Sequence, residues 1–156
     1  ISPEVLKRLA DHPNIAGIKD TSKDMMNTYM DAVGGRDDFE VFSGSLGTIM
    51  TCMERGGKGG IVSAANYFPN ACGKLYRIWK EEGQEAAKEY HSKVQAASKA
   101  TGARASVAGV KASMNLMGYT AGIPRNPVLP CSAELIEEFR EAIGQFHDLV
   151  KDDLMI

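Results

Sequence analysis

The sequence predicts an α/β fold, a parallel sheet built from βα units and followed by an all-helical region, and three observations predict it. Up to about residue 66, short apolar runs bounded by Gly, Asn or Pro alternate with helical patterns. After Asn66 the pattern is helical only. The 156 residues, 44% hydrophobic and 24% charged, have the composition of one compact soluble domain and not of a disordered chain.

Each element follows in order. Ser2 with Glu4 opens a helix to about Ala10, and the His12-Pro13-Asn14 break ends it. Ile15 to Ile18 is a buried strand that ends in Lys19 and Asp20. A helix over Met25 to Val33 stops at Gly34-Gly35, Phe39 to Ser43 forms the next strand, and an apolar helix covers Leu46 to Arg55. The cluster Gly56-Gly57-Lys58-Gly59-Gly60 lacks the GxxxxGK[ST] spacing of a phosphate cradle and precedes a strand, Ile61 to Ala64, so it is assigned to packing and turns. Helices are then predicted over Ala71–Glu82, Glu85–Thr101, Val107–Met117 and Glu134–Lys151. Between the last two, Pro124, Pro127 and Pro130 dictate an extended loop over residues 123–130. The closing helix has Ser132 as N-cap and Leu135, Ile136, Phe139, Ile143 and Phe146 on one stripe. Met25, Met26, Met30, Met50 and Met53 fall at helical spacing and are core filler.

Charge and composition narrow the function. Eighteen basic and twenty acidic side chains leave a formal charge of -2, which removes the footprint of a nucleic-acid or anionic-membrane binder and points to small-molecule partners. No apolar run approaches the roughly 20 residues a membrane-spanning helix needs, and the start has no signal-peptide core. The first residue is Ile1 and not Met, so further chain is expected before it. Cys52, Cys72 and Cys131 are odd in number and widely spaced, which predicts free thiols in a reducing cytoplasm. His12, His91 and His147 are scattered in polar surroundings, and no spacing argues for a metal.

Strand ends in parallel α/β architectures are where side chains converge on ligands, so the positions to weigh lie at or after Lys19, Gly44 and Ser63. Lys19 follows the apolar run Ile15-Ala-Gly-Ile18; enclosed in an apolar interior it would be desolvated, and a neutral amine condenses with ketones. On its own the position also fits a lysine that caps a strand and reaches solvent. Ser43-Gly44-Ser45 and Val62-Ser63 offer hydroxyls and backbone groups suited to a carboxylate, though Ser and Gly are ordinary turn formers too.

Taken together the motifs carry a resemblance. Asn14-Ile-Ala-Gly-Ile-Lys-Asp-Thr-Ser22 resembles the Schiff-base lysine strand of the dihydrodipicolinate synthase and N-acetylneuraminate lyase family, and Phe39-Glu-Val-Phe-Ser-Gly44 resembles its next strand. Residues 56–66 with Pro69 are similar to the family's final barrel strand, while Val110-Lys-Ala-Ser-Met-Asn-Leu-Met-Gly118 and Pro124-Arg-Asn-Pro127 are similar to its C-terminal helical region.

The resemblance implies a (β/α)8 TIM barrel, of which this chain would hold the last three strands: residues 1–70 a partial barrel with strands six to eight, residues 71–156 the last barrel helix and a helical C-terminal extension. It implies a class I aldolase with no cofactor beyond its lysine. Lys19 would form a Schiff base with pyruvate or another 2-oxo acid, and Thr21, Gly44, Val62 (through its carbonyl) and Ser63 would line the substrate site. The family's proton-relaying tyrosine and carboxylate-binding segment belong to the barrel's first half, which this chain does not contain. Ser45, Leu46 and Gly47 stand where sialic-acid members, and commonly the synthases too, carry acidic residues; this argues against sialic acid cleavage and leaves open dihydrodipicolinate synthesis, a 2-keto-3-deoxy sugar-acid aldolase or another 2-oxo acid lyase. Homo-oligomerisation, or pairing with an N-terminal half-barrel, is expected because an open three-stranded sheet has two unpaired edges. The alternative is a non-catalytic half-barrel assembly module, inactive without an N-terminal half.

Overall fold

A computed structural model describes residues 1–22 and 24–155. The chain divides into two compact units, Ile1–Val62 and Ser63–Ile156.

The first unit is a run of βα units: α1 (Pro3–Ala10), β1 (Gly17–Asp20), α2 (Met26–Val33), β2 (Glu40–Ser43), α3 (Leu46–Glu54) and β3 (Gly59–Gly60). The strands lie in sequence order and are all parallel, with Lys19 opposite Phe42 and Phe42 opposite Gly59. Ser2 caps α1 by accepting from Val5 N, and Pro3 takes the first turn, where no donor is missed. The core gathers Leu6, Ala10, Met26, Tyr29, Met30, Val33, Phe39, Val41 and Cys52, so the methionines at helical spacing are indeed filler. Arg36 ties the unit's rim by donating to Asp11, Asp38 and the carbonyl of Ala10.

Two strand assignments change. β1 lies two residues later than expected, because Ile15 is still held in the turn by its N–H to His12 O. The strand expected at Ile61–Ala64 is not formed. Pairing falls on Gly59–Gly60 instead, and Ile61 N adds one more bond to Ser43 O at 2.7 Å before Ser63–Asn66 turns into a 3-10 helix. The cause is packing: a Cβ on Gly60 would stand 2.7 Å from Ile49 Cδ1, so glycine lets α3 close onto the sheet. Ala64, Ala65 and Asn66 have little strand preference with which to compete.

The second unit holds α4 (Pro69–Glu81), α5 (Gln84–Ala100), α6 (Ser106–Leu116), α7 (Ala133–Gln145) and α8 (His147–Val150), with 3-10 turns at Ser63–Asn66, Gly102–Ala105 and Lys151–Asp153. Tyr67 and Phe68 pack edge to face at 4.6 Å in its core, and Tyr67 Oη pairs with Ser98 Oγ at 2.9 Å. Ser132 caps α7 as predicted, accepting from Leu135 N. The single helix expected over Glu134–Lys151 is instead interrupted at Phe146, past the exposed Gly144. The break brings Asp153 to the start of α4, where its carboxylate accepts from the N–H groups of Asn70 and Ala71. Residues 123–130 are the predicted non-helical loop, and its approach is clamped by Lys111 Nζ donating to Ala121 O at 2.6 Å and Asn115 Nδ2 to Gly122 O at 3.0 Å.

Candidate functional site

Three parallel strands deliver their C-terminal ends to one edge of the sheet, and alternation sorts their residues onto two faces. Lys19, Phe42 and Gly59 share one face; Asp20, Ser43 and Gly60 share the other, against the helices. Lys19 and Thr21 are exposed, whereas Gly44 is buried.

Gly44 is the point of convergence. Its N–H donates to Asp20 O at 2.5 Å, locking the end of β2 to the end of β1. A Cβ at this position would collide with Thr21 Oγ1, stand 2.5 Å from Lys19 Cε and 3.0 Å from Asp20 O. Lys19, Thr21 and Gly44 therefore form one cluster of an amine, a hydroxyl and a bare stretch of backbone. Val62 is buried on the chain that leaves β3, and Ser63 is the exposed first residue of the second unit.

One expectation needs correction and another is left to the rest of the barrel. Within its own unit Lys19 has an exposed side chain, its register partner Phe42 is only half-buried, and Gly59, next along that face, has no side chain, so the enclosure would have to come from strands outside this unit. The hydroxyl of Ser43 is not free for a carboxylate. It is fully buried on the helix side, donates to Ser45 O at 2.8 Å, and takes the hydroxyl of Thr48 at 2.8 Å and Ser45 N at 3.2 Å.

The sequence reading gave Asp20 no role beyond ending a strand, and gave Ser43 a ligand-facing role in place of an internal one. Asp20 is 6% exposed; its Oδ1 accepts from Ser22 N at 2.9 Å and Ser22 Oγ at 2.6 Å, while Oδ2 is buried without a partner among the described residues. The signal was present as a repeated pattern, Asp20-Thr21-Ser22 and Ser43-Gly44-Ser45, in which a short polar side chain sits two residues before a serine at each strand end.

The thiols are not poised as nucleophiles. Burial pushes the Cys52 thiol up, and burial followed by the charge of Asp153 pushes Cys72 up to about 12. Among the described residues, no group of three or more His, Cys, Asp or Glu is gathered as a metal would need, and no helix is long and apolar enough to cross a membrane.

A parallel sheet with helices packed on it defines an α/β protein, a fold whose ligands gather at the strand ends. A model of the dihydrodipicolinate synthetase family matches residues 1–146, and the chain belongs to that family. It is 30% identical over 148 residues to the 4-hydroxy-tetrahydrodipicolinate synthase of Methanospirillum hungatei, a match covering 94% of this chain and 50% of that protein. Among solved structures, the dihydrodipicolinate synthase of Thermotoga maritima superposes with a TM-score of 0.81 at 28% identity, over 94% of this chain and 51% of that one. YagE, a prophage protein of the same family from E. coli K12 solved in complex with pyruvate, shares the fold with a TM-score of 0.82 at 23% identity, over 93% of this chain and 51% of that one. The chain spans about half the length of the curated relatives it matches, as a C-terminal half would. These relatives are synthases and lyases, so the family is enzymatic.

Proposed function

We propose that this chain is the C-terminal portion of a class I aldolase or lyase in which Lys19 forms a Schiff base with pyruvate or another 2-oxo acid. The observation that carries the reading is the convergence of Lys19 Cε and Thr21 Oγ1 on the bare backbone of Gly44. Lys19 Nζ, as the neutral amine, adds to the keto carbon. Loss of water leaves an iminium, which draws electrons from the neighbouring C–H bond. Release of that proton yields an enamine whose carbon attacks an aldehyde; the reverse order cleaves a carbon–carbon bond. Gly44, having no side chain, lets the Lys19 stem and the Thr21 hydroxyl close onto its backbone, and Thr21 places that hydroxyl beside the amine that takes the acid. Val62 and Ser63 complete the substrate wall, and Val62 contributes its carbonyl.

In this reading β1, β2 and β3 are the last three strands of a (β/α)8 barrel, residues 71–156 its last helix and C-terminal extension, and the protein works in the cytoplasm. The strands of the first half enclose Lys19 and supply the desolvation that its own unit lacks. The chemistry needs no other cofactor.

The test is exchange of the methyl protons of pyruvate for solvent deuterium, followed by NMR on the natural polypeptide that contains these residues. The wild type exchanges above the buffer rate and Lys19→Ala does not; equal exchange in both contradicts the reading.

A second reading rests on the sheet edges. β1 and β3 each have one neighbour, which suits a non-catalytic module that pairs with a second copy or with an N-terminal half-barrel. Sedimentation of the chain distinguishes it: a stable assembly that catalyses no exchange supports the module, and a folded monomer contradicts pairing.

A further inference from the structure

We propose that Asp20 and Ser43 are positioning residues for the Lys19 site, an inference that rests on the Schiff-base reading above. Along the helix-facing side of the sheet, β1 presents Ile18 and then Asp20, and β2 presents Val41 and then Ser43. Ile18 and Val41 meet the apolar core, whereas at the last residue of each strand the layer turns polar. Both polar side chains are buried, at 6% and 0% exposure, where an apolar residue would avoid the desolvation cost.

Both do the same thing with their oxygen. Asp20 Oδ1 accepts from Ser22 N at 2.9 Å, and Ser43 Oγ accepts from Ser45 N at 3.2 Å. Each bond closes a turn over the residue between, and those residues are Thr21 and Gly44, the pair that meet beside Lys19. Asp20 and Ser43 stand opposite each other in register, so two matched turns lie side by side. The bond from Gly44 N to Asp20 O joins them. The sheet thus ends in a paired device that aims Thr21 across the glycine and fixes the backbone beneath the amine. Among the described residues Asp20 Oδ2 has no partner, and the oxygen that binds Ser22 makes the contacts that set the carboxylate.

The role belongs to the acceptor and not to the charge, and that distinction makes the test. The rate of pyruvate trapping on Lys19 by borohydride is measured at limiting and saturating pyruvate for the natural polypeptide and its variants. Asp20→Ala and Ser43→Ala are expected to lower the rate about tenfold, because the turns loosen while the amine remains. Asp20→Asn retains an acceptor oxygen and is expected to stay within about threefold of the wild type. Ser22→Ala lies outside the core, removes one of the two donors to Asp20 and lowers the rate by about threefold, which covers the case in which Asp20→Ala does not fold. Wild-type trapping in both Asp20→Ala and Ser22→Ala overturns the inference, as does an Asp20→Asn protein as slow as Asp20→Ala. A wild type that traps no pyruvate on Lys19 contradicts the Schiff-base reading itself and removes this inference with it.

Discussion

The two units of the chain use polar groups in opposite ways. In the first, polar side chains at the strand ends close turns over Thr21 and Gly44, and the amine of Lys19 and the hydroxyl of Thr21 lie exposed beside the glycine. In the second, polar groups are used internally: Asp153 caps α4, Tyr67 pairs with Ser98, and Lys111 and Asn115 clamp the chain before the proline loop. Burial and hydrogen bonding alone therefore do not mark a site. What distinguishes the first unit is where its buried polar residues stand: Asp20 and Ser43 each accept from the serine two residues on, across Thr21 and Gly44 at the strand ends.

The comparison can be broken most sharply at Gly44. Gly44→Ala puts a methyl group into Thr21 Oγ1 and against Lys19 Cε, and it is expected to lower deuterium exchange into pyruvate about a hundredfold, with little change in the urea midpoint. A variant as active as the wild type would show that the cluster is incidental. The second unit should respond in the converse way. Asp153→Ala strips the acceptor from Asn70 N and Ala71 N and is expected to cost about 1–2 kcal/mol in urea unfolding, without affecting exchange per folded molecule.

A smaller effect separates charge from capping at Asp153. Burial holds its carboxyl above the ordinary value, against the lowering exerted by the Asn70 and Ala71 amides. The folded state then binds the proton more tightly than the unfolded state. Stability falls as pH rises from the ordinary carboxylate range through the raised value, and it is flat above. Asp153→Asn keeps an acceptor and should lose that slope, read as urea midpoints across the acidic range; an unchanged slope would assign it to another group.

How much of this was legible follows the range of the interactions. Ser2 and Ser132 were readable as caps because the bonds they accept, from Val5 N and Leu135 N, lie three residues away. The parallel βα order was readable because alternation of apolar runs is also local. The strand at Gly59–Gly60 was not readable, since glycine has no strand preference and the pairing is imposed by β2 on one side and Ile49 on the other. Nor was the break at Phe146, because its purpose, carrying Asp153 to Asn70, spans 83 residues. At the site, Lys19, Thr21 and Gly44 stood out by motif. Asp20 did not, and Ser43 stood out for the wrong role, because apolar periodicity marks both only as exceptions and does not show which way their oxygens bond. The enclosure of Lys19 depends on what lies across the sheet face, and a strand's own residues do not carry that information.

The account rests on the amine of Lys19, and the most direct measurement is peptide mapping by mass spectrometry after treating the natural polypeptide with pyruvate and borohydride. Hydride adds to the iminium carbon and leaves a stable secondary amine. The account predicts that this adduct sits on the peptide bearing Lys19, grows with pyruvate concentration and is lost in Lys19→Arg. An unmodified Lys19 in a folded wild-type polypeptide, or an adduct spread equally over other lysines, would contradict it.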